Sequence, residues 1–92
     1  MKHPLNIGFV GLTHLGLNYL AAASEKGFKV VAIDLNKEKI NKLKKFHFEY
    51  DEPNLKKMIN KNKKKILFSS DLNKLKYCNI IFVSQDVKTN KK

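Results

Sequence analysis

A chain of 92 residues of which 42% are apolar suffices for one small packed domain and excludes a globally disordered polymer. Its net charge of +11 rests on nineteen lysines without an arginine, and its aromatics sit in apolar runs, so it reads as a solvated basic surface rather than a nucleic-acid binder. No apolar run approaches the ~18–20 residues that cross a bilayer, and Met1-Lys2-His3-Pro4-Leu5 carries no small-residue cleavage site, so neither a membrane partner nor a secretory signal is expected.

In chain order, Leu5-Asn6-Ile7-Gly8-Phe9-Val10 is a short apolar run ending on Gly11, the pattern of a buried parallel strand. His14 to Lys26 turns helical, with Leu15, Tyr19, Leu20 and Ala23 at three- and four-residue spacing, and Gly27 stands where a C-cap glycine belongs. Phe28 to Ile33 predicts a second strand closing on Asp34. Asn36 is placed to N-cap a helix with Ile40 and Leu43 on one face and lysines on the other. Phe46 to Pro53 is irregular and aromatic, and Pro53 opens a further short helix through Leu55, Met58 and Ile59. Ile66-Leu67-Phe68 is a brief third strand, and Asp71 to Leu75 a capped turn or short helix. Asn79 to Ser84 is a fourth strand, the most apolar of all, and Gln85 to Lys92 is polar and aperiodic.

Strands alternating with helices predict an α/β fold, a Rossmann-like doubly wound parallel sheet in the order 3-2-1-4 with both faces covered. Such a sheet normally continues past its fourth strand. That strand is therefore expected as an exposed hydrophobic edge, and the chain as an incomplete domain.

The chemistry is carried by Gly11-Leu12-Thr13-His14-Leu15-Gly16, between the first strand and the first helix. The dinucleotide fingerprint G-x-G-x-x-G uses its first glycine for a tight turn, its second for close approach of the pyrophosphate, and its third for helix–strand packing. Gly11 and Gly16 supply the first and third, while Thr13 replaces the second and puts a Cβ where the ligand approaches. The helix N-terminus adds N–H donors and positive dipole that favour an anion. The same two glycines also suit a tight strand-to-helix turn with no ligand at all.

Asp34 follows Gly16 by 18 residues, where a carboxylate accepts the adenosine ribose hydroxyls and selects NAD over NADP. It equally suits capping the helix that follows, and Lys37, Lys39 and Lys42 nearby work against the discrimination. His14 reads as an exposed helix-start residue within reach of a cofactor; His3 and His47 lack ligand-like neighbours, so no metal is expected. Cys78 has no histidine or carboxylate beside it and reads as a small buried thiol, unable to form an internal disulfide and compatible with a reducing cytoplasm. No catalytic constellation assembles.

These residues resemble the UDP-glucose/GDP-mannose dehydrogenases, whose NAD-binding domain carries segments like VGLGYVGL, VDxDxxKVxxL, YEPGL and DVIFIAVPTPT. Here they stand as Val10 to Leu17, Ile33 to Ile40, Asp51-Glu52-Pro53-Asn54-Leu55, and Asn79 to Thr89. The resemblance covers essentially the whole chain, residues 1–92, as the N-terminal part of that domain, and the Glu-Pro pair singles the family out. It implies that Gly11, Leu12, Thr13, His14, Leu15 and Gly16 hold the pyrophosphate of NAD, that Asp34 and Lys39 hold the ribose, and that Ser84 joins the cofactor site at the end of the fourth strand. It implies also an oxidoreductase that converts a sugar nucleotide to its uronic acid in two hydride transfers with a cysteine thiohemiacetal between. The catalytic cysteine and lysine lie in later substrate domains without counterpart here, so the sugar nucleotide is a partner of the intact enzyme only, for which a homo-oligomer is open. Departures are Thr13 and Asn54 for glycine, Phe46 where a loop glycine is common, and Val87-Lys88 for Thr-Pro. Another hydroxyacid-type NAD dehydrogenase, and a stand-alone nucleotide-binding module, are the alternatives.

Overall fold

Strands Asn6–Val10 (β1), Lys29–Ile33 (β2), Ile66–Ser69 (β3) and Ile80–Val83 (β4) form one sheet in the order β3-β2-β1-β4, with every neighbouring pair parallel. Helices His14–Glu25 (α1), Lys37–Lys44 (α2) and Pro53–Lys61 (α3) connect them, with 3-10 turns at Lys63–Lys65 and Leu72–Tyr77. The structure is a computed structural model that describes residues 5–48 and 52–84. The expected strand order and helices are present. The turn at Lys63–Lys65 is an addition that three consecutive lysines did not signal.

Register places one apolar face together. Ile7 pairs with Val30, Phe9 with Ala32, Val30 with Ile66 and Ala32 with Phe68, and alternation along a strand turns all of these to the same side. All six are buried, in one cluster with Leu17, Leu20 and Ala21 of α1, Ile40 and Leu43 of α2, and Leu55 and Ile59 of α3. Each large aliphatic side chain so buried contributes about 1.5–3 kcal/mol of transfer free energy.

The opposite face is covered unequally, which departs from the expected two-sided cover. Among the described residues, the turn Leu72–Tyr77 covers part of it, with Leu75 Cδ2 only 2.7 Å from the point a Gly8 Cβ would occupy. Leu67 and Ile81, which alternate onto that face, stay 47% and 46% exposed. All four residues of β4 are exposed, Val83 to 72%, so the predicted apolar edge is present. Phe82 gains partial cover by stacking on Phe9, with ring centroids 5.4 Å apart.

Helix ends follow local chemistry. Asn36 caps α2 as predicted, its side chain accepting the Lys39 N–H at 3.1 Å, and Pro53 stands in the first turn of α3. After α1, Gly27 adopts φ 102, its N–H donates to Ser24 O at 3.0 Å, and Phe28 N–H donates to Ala23 O at 3.2 Å. That is the paired Schellman pattern. The same pattern ends α2, where Phe46 N–H donates to Leu43 O and His47 N–H to Lys42 O, but the left-handed residue is Phe46 at φ 60. The departure from glycine thus falls on a backbone position that favours glycine. Phe46 is partly buried against the core and tilted on Phe48, so packing offsets the conformational cost. Glu25 joins α1 to the end of α3, accepting from Asn62 Nδ2 at 2.9 Å and Lys61 Nζ at 3.0 Å. The Asn62 amide first, then Lys61, hold its carboxyl below the usual range.

Candidate functional site

Ladder hydrogen bonds that run past the strand ends build the site. Gly11 N–H donates to Ile33 O at 2.8 Å, Asp34 N–H to Ser69 O at 3.2 Å, and Ser84 N–H to Val10 O at 2.8 Å. Residues distant in sequence, Gly11, Asp34 and Ser84, are therefore set side by side at the carboxyl edge of the sheet, where doubly wound folds place their ligands.

Gly11 has φ +90, and a Cβ there would lie 1.8 Å from Ser84 O. A Cβ on Gly16 would lie 2.6 Å from Gly11 O. Both glycines meet backbone, so the turn and the close helix–strand packing assigned to them are physical requirements of this geometry. Thr13 between them is the N-cap of α1, and its Oγ1 accepts the Gly16 N–H at 3.0 Å. The same oxygen lies 2.7 Å from Ser84 Oγ, and the residue is buried at 7% exposure. Leu12 takes part through its backbone alone, because its side chain is in the core, whereas the Leu15 side chain stands exposed beside the turn.

Asp34 and Lys39 lock onto that turn. Asp34 Oδ2 accepts the Leu12 N–H at 2.9 Å and Oδ1 the Asn36 N–H at 3.0 Å. Lys39 Nζ donates to Leu12 O at 3.1 Å and stands 3.7 Å from Asp34 Oδ2. Their side chains are 17% and 25% exposed, so the pair is shielded yet open to a ligand. The capping role weighed for Asp34 falls to Asn36 instead. The carboxylate, with lone pairs to spare, suits a ligand that offers vicinal hydroxyls. A hollow lined by Asn36, Glu38, Lys39, Lys42, Leu43 and His47 opens beside it.

His14, the first residue of α1, is paired with Glu52, and both side chains are part-exposed. Glu52 precedes Pro53 at the N-cap of α3 but makes no side-chain cap there; its carboxylate reaches across to α1 instead. The sequence marked the Glu-Pro pair as a family signature without giving the acid a task, and the poor capping ability of Glu before Pro53 is the signal that pointed elsewhere. Val87 and Lys88, Asp51 and His3 lie outside the described residues.

Among the described residues, no three His, Cys, Asp or Glu side chains converge as a metal site and no helix is long and apolar enough to cross a membrane. Cys78 lies before β4, at the opposite edge of the sheet from Gly11, with its Sγ 3.0 Å from the position of a Gly8 Cβ. It is half-buried rather than fully buried, and burial pushes its thiol above the ordinary value. Its thiolate population at neutral pH is correspondingly small. Alkylation of native Cys78 by iodoacetamide is expected to run about tenfold slower than in denaturant; equal rates would contradict the packing against Gly8.

The family model described as UDP-glucose/GDP-mannose dehydrogenase family, NAD binding domain, matches residues 5–92. Among solved structures, a GDP-mannose dehydrogenase ternary complex from Pseudomonas aeruginosa superposes with TM-score 0.83 at 19% identity, over 92% of this chain and 20% of that one. A UDP-glucose dehydrogenase from the hyperthermophilic archaeon Pyrobaculum islandicum gives 0.81 at 17% identity, over 90% and 20%. A UDP-D-ManNAc dehydrogenase from Pyrococcus horikoshii gives 0.81 at 22% identity, over 87% and 20%. The chain thus spans about one fifth of the length of these proteins. No curated protein matches the sequence.

Proposed function

The chain belongs to the UDP-glucose/GDP-mannose dehydrogenase family as part of its NAD binding domain, and from that premise we propose that it is the NAD-holding portion of a sugar-nucleotide 6-dehydrogenase acting on UDP-glucose or GDP-mannose type substrates. The observation that carries this reading is the junction of Asp34 and Lys39 with the Gly11–Gly16 turn through the backbone of Leu12.

On the adenosine side the residues present fit the cofactor. Asp34 would accept from the adenosine ribose hydroxyls, Lys39 steadies that carboxylate and the turn together, and the Gly11–Gly16 turn with Ser84 would face the pyrophosphate, its approach narrowed by the contact between the Thr13 and Ser84 hydroxyls. NAD, when bound, supplies the hydride acceptor. This chain's own contribution is binding and orientation. The groups that hold the sugar nucleotide and attack it belong, by the family resemblance, to substrate domains of the intact enzyme, for which a homo-oligomer is open. We place the protein in the cytoplasm, where an unpaired Cys78 stays reduced.

Incubated with NAD and UDP-glucose or GDP-mannose, the 92-residue chain is expected to produce no NADH absorbance while still shifting its amide resonances with NAD. Hydride transfer needs the substrate carbon held against the nicotinamide, with a thiol in reach. Cys78 cannot serve, because a four-residue strand alone separates it from the carboxyl edge by about 13 Å. Turnover that disappears in Cys78→Ser would overturn this reading of the chain and of that cysteine.

A further inference from the structure

In the order β3-β2-β1-β4 the direction of strand succession reverses between β1 and β4, and a dinucleotide crosses the sheet edge at that crevice. Across the crevice the Thr13 and Ser84 hydroxyls are joined at 2.7 Å. We infer that Thr13, standing at the second glycine of the fingerprint, is a specificity-determining residue: its bridge to Ser84 closes the pyrophosphate half of the site and leaves the adenosine half open. The inference rests on the NAD reading above and refines it.

Three observations carry it. Thr13 is buried, so its side-chain volume is inside the crevice mouth rather than in solvent. Its Oγ1 accepts the Gly16 N–H at 3.0 Å, which removes a first-turn donor that a phosphate would otherwise take. The Leu12 N–H is likewise occupied, by Asp34 at 2.9 Å. Two of the turn's backbone donors are thus satisfied by the chain's own side chains. The adenosine half is different. Each Asp34 oxygen accepts one backbone N–H, from Leu12 or Asn36, and retains a lone pair for the ribose diol. A ligand therefore gains most from its adenosine end and little from its pyrophosphate.

The bridge is removable from either side without dismantling the fold. Glycine is a tolerated N-cap, so Thr13→Gly keeps α1 while freeing the Gly16 N–H. Ser84→Ala removes the second hydroxyl and leaves the turn intact, and Thr13→Ser preserves the bridge as a control. Dissociation constants for NAD and adenosine are to be read from amide chemical shifts of the 92-residue chain. In the wild type and Thr13→Ser the two ligands are expected to bind within about threefold of each other. In Thr13→Gly, NAD is expected to tighten by about tenfold with adenosine unchanged, the gain from the recovered Gly16 N–H as a hydrogen bond to a charged group; in Ser84→Ala, where Thr13 still holds the Gly16 N–H, the gain is expected to be smaller. An NAD preference above about tenfold already in the wild type, or a fall in NAD affinity in either bridge variant, overturns the inference while leaving the cofactor reading intact. Absence of any shift with NAD or adenosine in every form overturns both.

Discussion

Gly11→Ala is expected to lower folding stability by more than about 3 kcal/mol, a large share of the roughly 5–15 kcal/mol available to a domain of ordinary stability. Two separate costs fall on the same atom. The backbone at φ +90 lies in the left-handed half of conformational space, where an L side chain is strained, and the new Cβ would sit 1.8 Å from Ser84 O. That oxygen belongs to main chain that cannot step aside, because Ser84 N–H is held by Val10 O at 2.8 Å and the adjoining strand pairs with β1 from Ile80 to Val83. Relief therefore means opening the β1–β4 ladder at the edge where the site is built. Gly16→Ala meets Gly11 O at 2.6 Å and should cost less, since its conformation is helical, but it still presses backbone on backbone. Gly8→Ala is the informative contrast. Its Cβ would meet Leu75 Cδ2 at 2.7 Å, the tip of a flexible side chain that can rotate away. Urea denaturation followed by circular dichroism should rank the three losses as Gly11, Gly16, Gly8. A midpoint for Gly11→Ala equal to that of the wild type would show that the turn is not packed as described.

The parts of this molecule that follow from local chemistry were readable in the sequence, and the parts that depend on distant partners were not. Short β-branched or apolar runs separated by helical periodicity gave the four strands and their order, because right-handed crossovers leave few ways to arrange them. Gly27 and Asn36 could be placed at helix ends because each cap is decided within a few residues. Thr13 could be recognised as a departure from the fingerprint but not as a bridge, since its partner Ser84 is 71 residues away. Glu52 reaches His14 across 38 residues; its poor capping ability before Pro53 hints that it acts elsewhere, but nothing local names the partner. The uneven cover of the sheet was hidden for a related reason. Periodicity reveals that a strand is apolar on both faces but not which element lies over each face.

Asp34→Ala is expected to weaken NAD binding by about 1.5–3 kcal/mol, roughly 10- to 150-fold in the dissociation constant. The carboxylate is shielded, at 17% side-chain exposure, so hydrogen bonds to it compete with little water. Removing it leaves the ribose diol without an acceptor and also strands the Leu12 and Asn36 N–H groups, which it accepts at 2.9 and 3.0 Å. Asp34→Asn separates the two effects, because an amide oxygen retains an acceptor for one backbone N–H while the charge is lost. If the charge is what matters, Asn should lose nearly as much NAD affinity as Ala with less loss of stability. The same substitution should change the choice of cofactor. A 2′-phosphate is repelled by Asp34, yet Lys39 stands 3.7 Å from it and shares a hollow with Lys42 and His47. Without the Asp34 carboxylate, Lys39 and Lys42 face the phosphate with the exposed Glu38, 4.0 Å from Lys42, left against it, so NADP should gain on NAD, most visibly at low salt where screening is weakest. Calorimetric titration of both cofactors against wild type, Asp34→Asn and Asp34→Ala measures this directly. Tighter binding of NADP than of NAD to the wild-type chain would mean that the lysines, and not Asp34, govern the adenosine end of the site.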